Sequence, residues 1–360
     1  MKLKISELGK VITGNTPSKK IKEFWDKDDV GFVKPDIISD EYIVKIKSED
    51  CNEFISNAAI SKARIVPKNS IFVTCIGNIG KIGVTTENLA FNQQINAIIP
   101  NENVNLDYLC YAIFANKTRL QDIANAPIVP LLNKSQFSEF ELEFDMDINT
   151  QTRIVHELNT VSNIILKYKQ ELLLLDELVR ARFVEMFGEI EDCDKWESKI
   201  WNEVVTIKNG RDYKKVLVSD GGYPVVGTGG EIARASKYLC PENTIVVGRK
   251  GSINNPMLMK EKFWNVDTAF GVIPNSDYLH YQYFYCFCKF YNFMKLNKAT
   301  TLPSTTKADL LKIRINIPPL ELQNQFASFV EEIDKSRSRI QKSLEASQEL
   351  FDSLMQEYFG

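Results

Sequence analysis

Apolar side chains in two stretches of the chain fall alternately three and four positions apart. In the first stretch they are Leu158, Val161, Ile165, Tyr168, Leu172, Leu175 and Val179. About 172 residues later the same positions hold Val330, Ile333, Arg337, Ile340, Leu344, Ser347 and Phe351. A sustained three–four spacing is the a/d seam of a coiled coil. It predicts two long helices, each about 50 Å in length if about 35 residues wind at 1.5 Å per residue. Only Arg337 and Ser347 interrupt the second seam. Arg337 could lay its stem along the seam with its charge in water, or fix register; Ser347 is small enough to be tolerated. Both stretches open on a glutamine (Gln151, Gln323) and close on Phe-Gly (Phe187-Gly188, Phe359-Gly360). The chain is therefore a duplicated unit, a globular half followed by a long helix, twice.

Period-two and β-branched runs between the helices repeat in the same order. Pro67-Lys68-Asn69-Ser70 and Pro241-Glu242-Asn243-Thr244 are turns that launch the apolar strands Ile71–Thr74 and Ile245–Gly248. Each strand enters a glycine-bearing loop, Gly77–Lys81 in one half and Arg249–Ser252 in the other. Earlier strands end at Gly14 and Gly210 and are followed by polar residues. The runs Tyr108–Phe114 and Tyr281–Phe293 are rich in aromatics at helical spacing, which favours core helices over base-stacking platforms. Short strands follow at Phe140–Phe144 and Ile313–Ile317. Pro318-Pro319 punctuates the entry to the second long helix, whereas the first has Asp147-Ile148-Asn149-Thr150, with Asn149 and Thr150 available as N-caps. The expected fold is α+β: two similar globular domains at 1–150 and 189–321, with coiled-coil helices at 151–188 and 322–360.

Composition changes this picture little. A 360-residue chain with 44% hydrophobic and 25% charged residues is ordinary for a soluble protein with two cores. No apolar run approaches a membrane span, and Met1-Lys2-Leu3-Lys4 does not read as a secretory signal. Seven scattered cysteines fit a reduced, cytoplasmic protein. Cys286 and Cys288 form the one close pair, a poor zinc site, and read as buried thiols. The net charge of −3 means that any nucleic-acid contact rests on local clusters or on a partner.

Catalytic chemistry is not legible. Gly227–Gly230 lacks the Gly-Lys-Ser/Thr of a phosphate loop. The two histidines, His156 and His280, lie on or beside predicted helices and read as structural. A duplicated chain with polar loops on two cores and a long connector suggests a reader of two half-sites.

At this point the chain resembles the specificity subunits of type I restriction–modification enzymes. The resemblance rests on the repeated helix endings Arg180–Gly188 and Leu354–Gly360 and on Pro318–Gln323. It rests also on the strand-then-glycine segments Ile71–Lys81 and Ile245–Ser252, and on Thr13–Ser18. It covers nearly the whole chain, although residues 147–150 lack the Pro-Pro expected before the first long helix. It implies two target-recognition domains, each reading half of a split DNA sequence, separated by an antiparallel coiled coil that sets the unread spacer. It implies no catalytic residue and no metal or cofactor in this chain. S-adenosylmethionine would belong to methyltransferase partners, two of them, that methylate adenine; ATP and magnesium would belong to a restriction (motor) subunit.

Base edges are read by Arg, Lys, Asn, Gln, Ser and Thr. The candidate DNA-binding residues of the first half are Asn15, Thr16, Ser18, Lys19, Asn78, Lys81, Asn92, Gln93, Gln94, Asn133 and Lys134. Those of the second are Arg211, Lys214, Thr228, Arg249, Lys250, Ser252, Thr268, Ser304, Thr306 and Lys307. Solvated loop surface is the competing reading for each of them. Two other functions stay open on the sequence: the same reader in a related phage-exclusion or nuclease–methyltransferase system, and a coiled-coil scaffold that binds only proteins.

Overall fold

A computed structural model describes residues 1–40, 43–124, 129–190, 195–297 and 303–360. Cys193 lies outside the described residues. The chain forms two compact units, residues 1–167 with 344–360, and residues 168–343. Each unit mixes strands and helices, and each contains part of both long helices, Ile148–Phe187 and Leu320–Phe359.

Unit 1 is built on a five-stranded sheet. Three of its strands carry the argument: β1 (Gly9–Thr13), β2 (Ile71–Thr74) and β3 (Ile95–Pro100), with β3 antiparallel between the other two. Every residue of β2 is buried, because both faces of the sheet are covered. Ile71 and Val73 face the aromatic helix Leu106–Ala115, while Phe72 faces a second sheet through Val33, Leu89 and Phe91. Unit 2 repeats the plan with β4 (Val205–Asn209), β5 (Thr244–Gly248) and β6 (Ala269–Pro274). Ile245 and Val247 pack toward the aromatic helix Tyr281–Phe290, and Val246 packs the other way against Cys240 and Phe263. Asn69 and Asn243 both take positive φ, 63° and 58°, in the turns that launch β2 and β5. Asparagine tolerates that left-handed geometry better than most residues. Ser70 Oγ and Thr244 Oγ1 donate to the Pro67 and Pro241 carbonyls at 2.7 and 2.8 Å and close the two turns alike.

The aromatic helices are core elements, as their spacing predicts. In unit 1, Tyr108 and Tyr111 meet Phe359 and Phe351 of the second long helix, with ring centroids 5.1 and 6.1 Å apart. Tyr358 Oη donates to Glu157 of the first long helix at 2.5 Å, so the start of one long helix lies along the end of the other. In unit 2, Phe183 of the first long helix stacks on Tyr283 at 5.4 Å and meets Phe326 of the second edge-on at 5.6 Å. Such aromatic pairs add about 0.5–1.5 kcal/mol each beyond their buried area. Asp176 pairs with Arg337 at 3.0 Å, so within unit 2 the helices run antiparallel.

All twelve apolar seam residues are buried or half-buried. The two seam breaks differ. Arg337 is half-buried and donates to Asp176, which also receives Lys289 at 2.9 Å; Ser347 is half-buried. The start of the first long helix corrects the sequence reading. Asp147 is the cap: its carboxylate accepts from the amides of Asn149 and Thr150 at 3.3 and 3.2 Å and from Thr150 Oγ1 at 2.8 Å. Asn149 and Thr150 are the capped residues, because a carboxylate one position ahead of the helix offers two acceptors to its free amides.

The two opening glutamines turn out to be fully buried clamps. Gln151 Oε1 accepts from the Asn105 amide at 2.8 Å, and its Nε2 donates to the Asp145 carbonyl at 2.6 Å. Gln323 Oε1 accepts from the His280 amide at 2.8 Å, and its Nε2 donates to the carbonyls of Tyr278 and Pro318 at 2.9 and 2.8 Å. Asn105 and His280 are the N-caps of the two aromatic helices. Each clamp therefore ties the start of a long helix to the start of the helix beneath the sheet. Gln323→Leu leaves the His280 amide and two carbonyls buried without partners. We expect it to cost about 2 kcal/mol and lower the melting temperature of unit 2 by about 4–8 °C, read by thermal denaturation.

His280 caps its helix through Nδ1, which accepts from the Gln282 amide at 3.2 Å. The cap requires an unprotonated Nδ1. Burial lowers the His280 pKa below its ordinary 6.5, partly offset by Glu331. The stabilisation is thus fully present above about pH 6.5 and is lost as pH falls from there through the lowered value. Asn, the residue found at 105, caps without titrating. His280→Asn should therefore remove one step from the stability–pH profile below about pH 6.5; an unchanged profile would rule out the histidine cap.

Candidate nucleic-acid interface

In each unit the end of the first strand, the end of the second and the start of the third converge at one sheet edge. A set of backbone hydrogen bonds holds the crossing loops there. In unit 1 the Asn15 amide donates to Phe91, Cys75 to Gln94, Gly77 to Pro130 and Leu132 to Cys75, at 3.0, 2.8, 3.0 and 2.8 Å. In unit 2 the Arg211 amide donates to Asn265, Arg249 to Thr268, Gly251 to Pro303 and Thr305 to Arg249, at 3.0, 2.8, 2.9 and 3.0 Å. The same frame is built twice. Ile76 bridges Leu131 in one and Lys250 bridges Ser304 in the other. Gly14 and Gly210 occupy the same crossing: a Cβ would lie 2.0 Å from the Asn92 carbonyl oxygen in one and 1.8 Å from that of Val266 in the other. No side chain fits such an approach, which explains why a glycine follows each of the two strands.

The side chains on the frame differ. In unit 1 the Asn15 amide group is fixed between the Lys62 carbonyl and the Arg64 amide, both at 2.7 Å. Thr16 Oγ1 donates to Gln93 Oε1 at 2.7 Å, leaving the exposed Gln93 amide held from one side. Asn92 is buried and pairs with Gln94, whose amide and side chain it meets at 3.0 and 2.9 Å. Asn133 caps the helix Lys134–Ser138 by accepting from the Gln136 amide at 2.9 Å; Lys134 is exposed. Asn78 belongs to a different cluster, donating to Asp40 at 2.9 Å. That bond and the Lys117 ion pair, the larger influence, hold the Asp40 carboxyl below the usual carboxylate range. Lys81 Nζ reaches the Pro35 carbonyl at 3.5 Å. Ser18 is exposed, and Lys19 pairs with Glu53 at 3.2 Å and sits 5.2 Å from the Trp25 ring centre.

In unit 2 the structure gathers Arg249, Lys250, Ser304, Thr306 and Lys307 around one cleft of about 350 Å³, with Asn209, Phe270 and Thr305. Arg211 is exposed beside it on the frame, its carbonyl accepting from Trp264 Nε1 at 2.9 Å. Thr306 is an N-cap, accepting from the Asp309 amide at 3.1 Å, and Lys307 Nζ donates to the Ile207 carbonyl at 2.9 Å. Thr268 contributes its carbonyl to the frame. Lys214 and Ser252 are exposed outside the cleft, and Thr228 sits in the turn between the strands Tyr223–Gly227 and Gly230–Ala235. Among the described residues, Arg211, Arg249 and Lys250 have no carboxylate partner.

Sequence reading missed Arg64 and Asn209. Asn209 had a local signal, the last polar residue before Gly210. Arg64 had none, because only folding brings it to Asn15, 49 positions away. Among the described residues nothing at either edge resembles an activated nucleophile, since burial pushes the Cys75 thiol up to about 12. Away from the edges, Cys286 and Cys288 of the aromatic helix are buried in the core with raised pKa. Among the described residues, no group of His, Cys, Asp and Glu could hold a metal ion, and no helix is long and apolar enough to cross a membrane.

The comparisons fit this duplicated plan. A family model described as the type I restriction modification DNA specificity domain matches residues 1–174 and again 193–348. The MjaIX type I specificity subunit of Methanocaldococcus jannaschii is 24% identical over 98% of this chain and 90% of that protein. The HindI specificity subunit of Haemophilus influenzae is 35% identical over 142 residues, 38% of this chain and 30% of that protein. Among solved structures, the type I S subunit of M. genitalium aligns with a TM-score of 0.64 at 16% identity, over all of this chain and 96% of that one. A chain from a structure of type I R-M complex assembly and conformational transition aligns at 0.56 and 13% identity, over 99% of this chain and 96% of that one.

Gly210→Ala should destabilise unit 2 by about 2 kcal/mol or more, since the added methyl must displace a backbone carbonyl. Gly229→Ala, which meets no atom within 4 Å, should stay within about 0.5 kcal/mol. Urea denaturation of both variants checks the pair; similar costs would contradict the close approach.

Proposed function

The chain belongs to the type I restriction–modification DNA specificity family, and from that premise we propose that its two sheet edges each read one half of a bipartite DNA target. The chain is a non-catalytic DNA sequence-recognition subunit of a type I restriction–modification complex. In this reading residues 1–150 and 189–321 are the target-recognition domains, and the helices 151–188 and 322–360 set the length of the unread spacer. The carrying observation is the repeated backbone frame with unlike side chains: one scaffold, two chemistries. Base edges differ in the donors and acceptors they present in the major groove, so different side chains on one frame select different bases.

The long helices also dock the partners. Leu173, Leu174 and Leu178 stand exposed on the first long helix, outside its seam. Exposed apolar clusters of this kind mark protein contacts. The occupants are methyltransferase subunits, two per chain, that bring S-adenosylmethionine and methylate adenine. A motor-nuclease subunit using ATP and magnesium completes the restriction complex. A net charge of −3 suits a reader whose partners supply much of the phosphate contact. The assembly works in the cytoplasm, where the buried thiols stay reduced.

Insertion of one heptad into both long helices tests the division of labour. Co-expressed with the methyltransferase, the lengthened chain should direct methylation to the same two half-sites with an altered gap. A changed half-site sequence, or an unchanged gap, would contradict it.

A further inference from the structure

We propose that Arg249 reads a guanine in the half-site recognised by unit 2; the assignment rests on the DNA-reading function proposed above. Arg249 is the first residue past the fully buried strand β5, so the rigid sheet sets its Cα position. Its backbone is fixed on both sides, the amide to the Thr268 carbonyl at 2.8 Å and the carbonyl to the Thr305 amide at 3.0 Å. Its guanidinium lies 6.0 Å from the Phe270 ring centre and donates through one nitrogen to the Asp267 carbonyl at 3.3 Å. That single anchor leaves the rest of the planar fork without a partner among the described residues, while the side chain is exposed at the cleft.

A pre-set fork of parallel N–H donors matches the two acceptors, O6 and N7, on the major-groove edge of guanine. It does not match adenine, which offers one acceptor and one donor there. The surroundings favour a base over a phosphate. Asn209 and Ser304 are uncharged groups along the same cleft, suited to a base edge, while Thr306 is spent on its helix cap and Lys307 on the Ile207 carbonyl. The neighbouring Lys250 is exposed with no ionic partner, a point charge suited to the backbone. Unit 1 has no arginine at the equivalent frame position, which the buried Cys75 takes. Its edge displays the Gln93 amide, and its exposed arginine, Arg64, donates to the Thr13 carbonyl from a different segment.

The test is long-read methylation sequencing of cells that co-express the methyltransferase with wild-type chain, Arg249→Gln, Arg249→Lys or Gln93→Ala. Arg249→Gln should relax one G·C position, reducing discrimination there about ten-fold or more, while the gap and the other half-site stay as they were. Arg249→Lys should relax the same position, since it keeps the charge and loses the fork. Gln93→Ala should leave that half-site intact. The proposal is overturned if Arg249→Lys keeps the motif unchanged, or if the relaxed position is A·T. It is overturned also if methylation falls evenly at all sites, which marks a phosphate contact, or if Gln93→Ala relaxes the same half-site. Loss of all methylation in Arg249→Gln leaves the decision to Arg249→Lys. Failure of the underlying function looks different: the wild-type chain itself would then direct no two-part motif.

Discussion

Two buried glutamine side chains organise the molecule. An amide enclosed away from water must find partners for its oxygen and its nitrogen, or cost the fold the desolvation of both. Gln151 and Gln323 meet this demand in the same way, by taking the free amide at the start of an aromatic helix and giving to carbonyls nearby. Each clamp fixes where a long helix leaves its unit and how the aromatic helix lies under the sheet. The sheet in turn holds the edge at which the polar loops cross. A side chain remote from any candidate base contact thus positions the residues that would make those contacts.

The edge is where constancy stops. The backbone bonds of Asn15, Cys75, Gly77 and Leu132 recur at Arg211, Arg249, Gly251 and Thr305, and Gly14 and Gly210 make the same close approach. The residues displayed between these bonds share little. Because the frame is made of main chain, the side chains it carries can change without cost to its geometry. This is the physical basis for a scaffold that can present a new recognition surface while keeping its fold. A similar economy appears in the helix caps, where Asn105 and His280 serve one purpose and only the second responds to pH.

Much of this was legible in the sequence. The three–four spacing located both long helices, and the seam residues it named are buried or half-buried. The Pro-x-Asn turns and the apolar strands behind them were visible because left-handed turns and doubly covered strands leave strong local marks. The first helix cap was misread as Asn149 or Thr150, since Asp, Asn and Thr are equally good caps by type and only the fold shows that the helix begins at Ile148. The clamps were seen only as the opening letters of a repeat, because their partners lie 43 and 46 positions away. Arg64 and the gathering of Arg249 with Ser304 and Lys307 were hidden for the same reason. Polar loop residues are alike in sequence, and folding decides which become helix caps, such as Asn133 and Thr306, and which remain free to bind, such as Arg249.

The central claim is that one backbone frame, used twice with unlike side chains, reads two unlike half-sites held at a fixed spacing. Long-read methylation sequencing of cells with and without this chain, in the presence of its methyltransferase, tests it most directly. The account predicts a single methylated adenine motif that depends on the chain, with two dissimilar halves and a gap of constant length. A continuous motif, a motif with two identical halves, or methylation indifferent to the chain would contradict it.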